Sequence, residues 1–263
     1  MLVTVTILLG LSAIAGLDLA RAPGGVENID VDVELVLAVD VSRSMDFEEV
    51  RIQREGYLAA LRHPDFINAV QAGLLGRIAI TYYEWAGSVD LESVLDWQVI
   101  ETTTDAEFFA NQLEARPIAT QRRTSISAAI TQGMAMINSN QFEGMRRIID
   151  VSGDGPNNIG EPVVPARDEA IAAGIVVNGL AIMLRPSGMS GPLDQYYANC
   201  VIGGPGSFVL PVHRTEDFAV AVRRKLILEI SGNSSPRKAL RIASQEEEDC
   251  LVGERQWQYF LDR

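Results

Sequence analysis

Val33 to Ser44 read Val-Glu-Leu-Val-Leu-Ala-Val-Asp-Val-Ser-Arg-Ser, and the rest of the chain is best understood from this stretch. Its first half is a nearly continuous apolar run, which is typical of a central parallel strand that is buried on both faces. Its second half places Asp40, Ser42 and Ser44 at alternating positions where that strand ends. One carboxylate and two hydroxyls favour a hard cation such as Mg²⁺, Mn²⁺ or Ca²⁺ over zinc. The alternative is a strand end followed by a helix N-cap.

Length and composition predict one large α/β domain, with or without a tail, because the chain has 263 residues and 47% of them are apolar. The formal net charge of −13 disfavours a nucleic-acid partner, since binding a polyphosphate requires a basic surface that releases counterions. An acidic surface is compatible with cation binding, although it is more often only a solubility feature.

The N-terminal segment predicts export. Residues 2–17 form an apolar run without a charge, which suits the core of a signal peptide and is short for a membrane span. Ala20-Arg21-Ala22 matches a cleavage pattern, so we expect a signal peptide over residues 1–22 and a mature protein in the periplasm or outside the cell. The alternatives are an uncleaved segment that anchors the protein to a membrane and a misassigned start codon.

The chain has two cysteines, Cys200 and Cys250. In an oxidising compartment this even number suggests one disulfide, which would close a loop of about fifty residues and stabilise the fold by roughly 4 kcal/mol. Two buried free thiols are the alternative. No spacing of cysteines and histidines indicates zinc, and His63 and His213 are too few for a histidine-rich site.

Strand-like apolar runs alternate with helical periodicity along most of the chain. This alternation predicts an α/β fold with a doubly wound, mostly parallel central sheet flanked by helices. A strand predicted at 96–101 follows its predecessor after a short connection, so we expect it to be an antiparallel edge. The other predicted strands are 76–86, 145–151, 175–184 and 206–212, and the predicted helices are 45–62, 64–72, 104–115, 124–137, 162–173 and 215–230.

Capping residues predict where two of these helices begin. Ser44 precedes the helix that starts near Met45, and it is either the N-cap of that helix or a metal ligand. Thr104, with Glu107 three residues further on, matches a capping box.

Two further oxygen ligands follow other predicted elements. Thr124 stands where the helix 124–137 begins, and Asp154 follows the strand 145–151 in a glycine-containing turn. Ligands of doubly wound sheets bind beyond the carboxyl ends of the strands, so we expect both residues to share one crevice with Asp40. Their alternative roles are a helix cap for Thr124 and a turn former for Asp154.

Together these residues resemble the metal-ion-dependent adhesion site (MIDAS) of von Willebrand factor type A (VWA) domains. That site combines Asp-x-Ser-x-Ser with a threonine in a later loop and an aspartate after the fourth strand. The resemblance covers roughly Asp30 to Ser231, with one departure, because Ser152-Gly-Asp-Gly155 stands where Thr-Asp-Gly is usual. The matching positions are Asp40, Ser42, Ser44, Thr124 and Asp154.

Three further stretches resemble an exported bacterial branch of VWA-like proteins whose role is uncharacterised. They are Tyr83–Gly87, Asp150–Asn158 and Cys200–Gly206.

The resemblance implies a binding protein and not an enzyme. In the family, hydroxyls contact the ion while aspartates act largely through water, which leaves an open position for a carboxylate. The implied activity is therefore metal-dependent binding of an acidic residue on another protein. Mg²⁺ is the expected cation, with Mn²⁺ or Ca²⁺ as alternatives.

The residues leave three alternatives to a metal-dependent binding protein. Haloacid-dehalogenase-like phosphatases also use an aspartate at the end of the first strand, but they need a second carboxylate where this chain has Ser42. A serine hydrolase lacks support because no Gly-x-Ser-x-Gly is present. A degenerate module that binds no metal is the third alternative.

The last segment, residues 232–263, is expected to be a tail that packs on the domain. Its first residues read as a linker and its last ones contain the aromatic residues Trp257, Tyr259 and Phe260. A disulfide between Cys200 and Cys250 would hold the tail against the domain. The alternative is that its aromatic residues contact a partner protein.

Overall fold

The computed structural model describes residues 28–185, 191–232 and 249–261. The predicted signal peptide and most of the predicted linker lie outside these residues. The strands are β1 (Ile29–Asp40), β2 (Ile78–Trp85), β3 (Val89–Ile100), β4 (Phe142–Gly153), β5 (Ile175–Ile182) and β6 (Val209–Val212). The helices are α1 (Phe47–Leu61), α2 (Pro64–Gln71), α3 (Thr103–Glu114), α4 (Ile126–Ser139), α5 (Val163–Ala172), α6 (Leu193–Tyr196), α7 (Phe218–Ser231) and α8 (Val252–Leu261).

The strands form one sheet in the order β3-β2-β1-β4-β5-β6. All neighbours are parallel except β2 and β3, which are antiparallel, so the predicted doubly wound sheet with an antiparallel edge is confirmed. The central strand β1 is buried on both faces. Leu35 and Leu37 pack on the side of α1, α2, α3 and α7, whereas Val36 and Ala38 pack on the side of α4, α5 and α6.

One ionic cluster is buried on the α7 side of the sheet. Lys225 of α7 forms ion pairs with Asp150 of β4 and with Glu229 one turn further along α7, where Nζ and Oε1 are 2.6 Å apart. Asn178 of β5 donates a second hydrogen bond to Glu229 Oε1 over 3.0 Å. None of these four side chains is more than 2% exposed. The cluster therefore joins the last helix of the sheet domain to two central strands.

The predicted cap Thr104 was wrong, and of the two roles left open for Ser44 the structure excludes the N-cap. Helix α1 is capped by Asp46, whose carboxylate accepts from the Glu49 amide while Glu49 accepts from the Asp46 amide. Helix α3 has the same reciprocal arrangement between Thr102 and Asp105, two residues earlier than predicted. In both cases an acid three residues after the cap completes the capping box. Ser44 is thereby left outside the helix.

Two segments were missed by the sequence analysis. Helix α6 continues as a π-helical turn, Tyr197–Val201, and the tail contains α8. Cys200 in this turn and Cys250 before α8 form the predicted disulfide, with 5.5 Å between their Cα atoms. The disulfide places the start of α8 beside the sheet domain. Among the described residues, no helix is both long and apolar enough to cross a membrane.

Candidate metal centre

Three of the predicted ligands are joined by short hydrogen bonds at the carboxyl edge of the sheet. Strands β1 and β4 are parallel neighbours that end at Asp40 and Gly153, so Asp40 and Asp154 emerge side by side. The hydroxyls of Ser42 and Ser44 are 2.8 Å apart, and the Ser44 hydroxyl donates to Asp154 Oδ1 over 2.6 Å. The Ser42 amide donates to Asp40 Oδ1 over 2.7 Å. The two loops thus gather four oxygen-bearing side chains.

The departure from the usual Thr-Asp-Gly pattern has a local explanation in Gly153. A Cβ atom at this position would lie 2.8 Å from Asp40 Oδ2 and 2.6 Å from the Tyr197 hydroxyl. Both distances are shorter than real Cβ contacts allow. Glycine therefore permits the end of β4 to pass directly against the Asp40 carboxylate.

Thr124 reaches the same place from a third loop. Its amide donates to Asn158 Oδ1 over 2.9 Å, and its carbonyl accepts from the Asn158 amide over 2.8 Å, which ties this loop to the one after β4. The side chain that caps α4 is Ser125, so Thr124 does not have the capping role considered above. No described residue forms a hydrogen bond with the Thr124 hydroxyl, and Thr124 lines a cavity of about 380 Å³ together with Ser42 and Ser44.

The electrostatics of the site favour a cation. Asp40 is fully buried, and its Oδ2 atom has no hydrogen-bond partner within the described part of the chain. Burial, with repulsion from Asp154, raises the pKa of Asp40 to about 8. Burial also raises the pKa of Asp154. No lysine or arginine among the described residues forms an ion pair with either carboxylate. A divalent cation bound from outside the chain would therefore stabilise their ionised forms, which burial alone disfavours.

The donor set fits a hard divalent cation. Two carboxylates and three hydroxyls are oxygen ligands of the kind that Mg²⁺, Mn²⁺ and Ca²⁺ prefer. Within residues 28–185, 191–232 and 249–261, no group of three or more His, Cys, Asp and Glu side chains is arranged to hold a metal ion. The candidate centre has only two such side chains and depends on hydroxyls for the rest. This composition favours modest affinity for the ion.

Residues that the sequence analysis missed support the candidate ligands. Gln53 of α1 donates from Nε2 to the Asp40 carbonyl over 2.7 Å, and it is buried. Tyr197 lies next to Gly153 and Asp40 from the π-helical turn. Gln53 occupies a position of α1 that the helical periodicity assigns to the buried face. A polar residue at such a position is a sequence signal for a buried, hydrogen-bonded amide. Tyr197 had no such signal, because the π-helical turn that carries it was not predicted.

The comparisons with known proteins agree with this fold. A family model described as "Protein of unknown function (DUF1194)" matches residues 30–234. No curated protein matches the chain. Among solved structures, proximal thread matrix protein 1 (PTMP1) from the mussel byssus, with a zinc-occupied MIDAS motif, has a TM-score of 0.54 at 14% identity, covering 78% of this chain and 49% of PTMP1.

Two bacterial structures have the same fold. The pilus adhesin SpaC from Lactobacillus rhamnosus GG has a TM-score of 0.58 at 13% identity, covering 77% of this chain and 31% of SpaC. A von Willebrand factor type A protein from Catenulispora acidiphila has a TM-score of 0.52 at 11% identity, covering 76% of this chain and 43% of the other. The resemblance to VWA domains is confirmed at the level of the fold, and this chain spans half or less of each of these relatives.

Proposed function

The chain belongs to the DUF1194 family of proteins of unknown function, and we propose that it binds another protein through a divalent cation held in a MIDAS-type site. The proposed ligands are Asp40, Ser42, Ser44, Thr124 and Asp154. The partner is proposed to supply an acidic side chain. No catalytic role is proposed for these residues.

The observation that carries the proposal is the chain of contacts from Ser42 through Ser44 to Asp154. It lies beside the buried Asp40, which forms no ion pair with any lysine or arginine that the structure describes. The hydroxyls are already within hydrogen-bond distance of one another, so little rearrangement is needed to present them to one ion. Asp40 is held in place by the hydrogen bond from the Ser42 amide, and its carboxylate can balance the positive charge of a bound cation. A bound divalent cation would supply an electrophilic position at which an incoming carboxylate gains a strong electrostatic contact.

Mg²⁺ is the proposed ion, with Mn²⁺ and Ca²⁺ as alternatives, because hydroxyl and carboxylate oxygens prefer hard cations. The solved PTMP1 structure with a zinc-occupied MIDAS motif supports the general ability of this fold to hold a divalent cation. Zinc is less favoured here, since the site offers neither sulfur nor imidazole.

The protein is also proposed to act outside the cytoplasm. The Cys200–Cys250 disulfide supports this location, because disulfides persist in oxidising compartments. SpaC, a pilus adhesin, shares the fold and is consistent with an exported binding protein.

Calorimetric titration with Mg²⁺, Mn²⁺ and Ca²⁺ tests the metal part of the proposal. We expect saturable binding to the wild-type chain and its loss in Asp40→Ala and Asp154→Ala. Asp96→Asn is the matched control, because Asp96 is an exposed acid on β3 outside the candidate site. Equal binding by the wild type and both alanine variants would contradict the site assignment.

A further inference from the structure

The cavity beside the candidate ligands carries an unusual concentration of positive charge. Besides Ser42, Ser44 and Thr124, its lining consists of Arg43, Arg122, Arg123, Asn158 and Trp257. Three arginines therefore line one cavity in a chain whose net charge is −13. The local charge is opposite in sign to that of the whole molecule.

These arginines have no acidic partner within the described part of the chain. Within the residues that the structure describes, none of Arg43, Arg122 and Arg123 forms an ion pair with an aspartate or glutamate. Arg185, close by, behaves differently, since its guanidinium lies 2.5 Å from Asp46 and 2.7 Å from Glu49. The charge of the three cavity arginines is thus available to an anionic ligand.

The backbone holds these arginines at the cavity. The Arg43 amide donates to the Gln121 carbonyl over 2.8 Å, and the Gln121 amide donates to the Val41 carbonyl over 3.1 Å, so the two arginine-bearing loops are paired. Arg123 has φ of 73°, and it is the sole described non-glycine residue with positive φ. A left-handed conformation is unfavourable for arginine, and such strain is found mostly where a functional site requires it.

Gly87 permits this arrangement. A Cβ atom at Gly87 would lie 2.8 Å from the Arg122 carbonyl oxygen and 3.1 Å from Arg123 Cβ. The loop is therefore pressed against the end of β2, where the Gly87 amide donates to the Arg122 carbonyl over 3.2 Å.

The tail helix orients one of the guanidinium groups. Arg123 lies over the ring of Trp257 at 4.8 Å from its centroid, a cation–π contact. Helix α8, which carries Trp257, is attached through the Cys200–Cys250 disulfide and through Glu254, which accepts from Asn157 Nδ2 over 2.7 Å. The tail thus forms part of the cavity wall beside the candidate ligands.

We propose that this cavity binds a second acidic side chain of the partner, so that the recognised segment is an acidic peptide with neighbouring carboxylates. The first carboxylate is the one assigned to the metal centre, so this inference rests on the proposed function. Arg43, Arg122 and Arg123 bind the second through charge-assisted hydrogen bonds, which guanidinium groups form with carboxylates in a bidentate geometry.

The net charge of the chain and the local charge of the arginines have opposite effects on the binding of an acidic peptide, so the two effects can be told apart. A chain with net charge −13 repels a peptide more strongly as the peptide becomes more acidic. A non-specific electrostatic effect therefore weakens binding of the more acidic peptide. Stronger binding of that peptide requires local positive charge, from the arginines or from the cation, and the arginine variants separate these two sources.

The test uses two fluorescein-labelled peptides of equal length, Gly-Gln-Asp-Gln-Gly and Gly-Glu-Asp-Glu-Gly, and the full mature chain with Mg²⁺. We expect the three-acid peptide to bind about 10-fold more tightly than the one-acid peptide at low salt, a difference of about 1.4 kcal/mol. Arg122→Gln and Arg123→Gln should bring this ratio close to one, and Trp257→Ala should lower it by a smaller factor. Arg224→Gln, which removes the same charge from an exposed position of α7, should leave the ratio unchanged.

Each other outcome has a defined meaning. Equal affinity for the two peptides, or a preference that survives Arg122→Gln and Arg123→Gln, overturns the inference and leaves the metal site untouched. A preference that depends on the arginines but persists in EDTA and in Asp40→Ala supports the basic cavity and contradicts the proposed metal-dependent function. Absence of binding by the three-acid peptide up to about 1 mM overturns the inference. Thermal melting of every variant checks that it is folded.

Discussion

Two pairs of acidic side chains lie at or next to β4, and they differ in the origin of the positive charge that balances them. The inner pair, Asp150 and Glu229, is buried around Lys225, which forms an ion pair with both. The edge pair, Asp40 and Asp154, has no ion pair with any described lysine or arginine. The inner pair is completed within the fold and holds α7 against the sheet. The edge pair lies beside a cavity and is suited to a cation from solution.

The largest expected effect comes from removing the internal cation. Lys225→Met leaves two buried carboxylates without their partner, which should lower the free energy of unfolding by about 3–5 kcal/mol. Urea denaturation in EDTA measures this loss. The triple variant Lys225→Met, Asp150→Asn, Glu229→Gln should recover most of the stability, because a neutral cluster carries no unpaired charge. A loss below about 1 kcal/mol in the single variant would show that the ionic cluster does not hold α7.

A smaller effect is expected from the pH dependence of the inner pair. Burial and repulsion from Asp150 raise the pKa of Glu229 from 4.5 to about 7. Because the folded state binds this proton more tightly than the unfolded state does, stability should fall as the pH rises from about 5 to about 8, by at most about 3 kcal/mol from this group. The side chains that face Glu229 or influence its charge are Asp150, Lys225, Asn178, Tyr57 and Arg146.

The variant Glu229→Gln isolates this contribution. It keeps an oxygen that can accept from Lys225 but does not titrate, so its unfolding free energy should vary less between pH 5 and pH 8 than that of the wild type. Denaturant unfolding at several pH values gives the comparison. Parallel curves for the two proteins would mean that Glu229 does not titrate in this range.

The smallest effect on stability is expected at the edge pair. Asp40→Asn preserves an acceptor for the Ser42 amide. It replaces a buried carboxyl whose pKa is raised to about 8 and which forms no ion pair with a described lysine or arginine. In EDTA, the variant should therefore unfold with a free energy within about 1 kcal/mol of the wild type, or be slightly more stable. A loss of about 3 kcal/mol or more would contradict this expectation, because it would mean that Asp40 stabilises the fold as Asp150 does.

The features of the edge pair that depend on local sequence pattern could be predicted from the sequence. The run of apolar residues before Asp40 identified the central strand, and the alternation of strands and helices placed Asp40 and Asp154 at one edge of the sheet. The five ligand positions remain a prediction, although Ser42, Ser44 and Asp154 are joined by hydrogen bonds and Thr124 lines the same cavity.

The inner pair was not predicted, because it depends on contacts between distant elements. Asp150 read as part of a buried strand, and Lys225 and Glu229 as polar positions of a helix. Their spacing of four residues, with Lys225 between the buried positions Val222 and Leu226, was the available signal. Only the docking of α7 on β4 brings the three charges together. The tail helix was missed for a similar reason, since the disulfide and contacts with the sheet domain determine its place.

The central claim is that the edge pair, unlike the inner pair, takes its cation from solution. Its most direct test is the gain in unfolding free energy on adding Mg²⁺ to the wild type, Asp40→Asn, Asp154→Asn and Glu229→Gln. With Mg²⁺ at about 100 times its Kd, the wild type should gain about 2.7 kcal/mol, and Glu229→Gln should gain the same. Asp40→Asn and Asp154→Asn should gain none. No gain in the wild type at saturating cation, or an equal gain in Asp40→Asn, would contradict the claim.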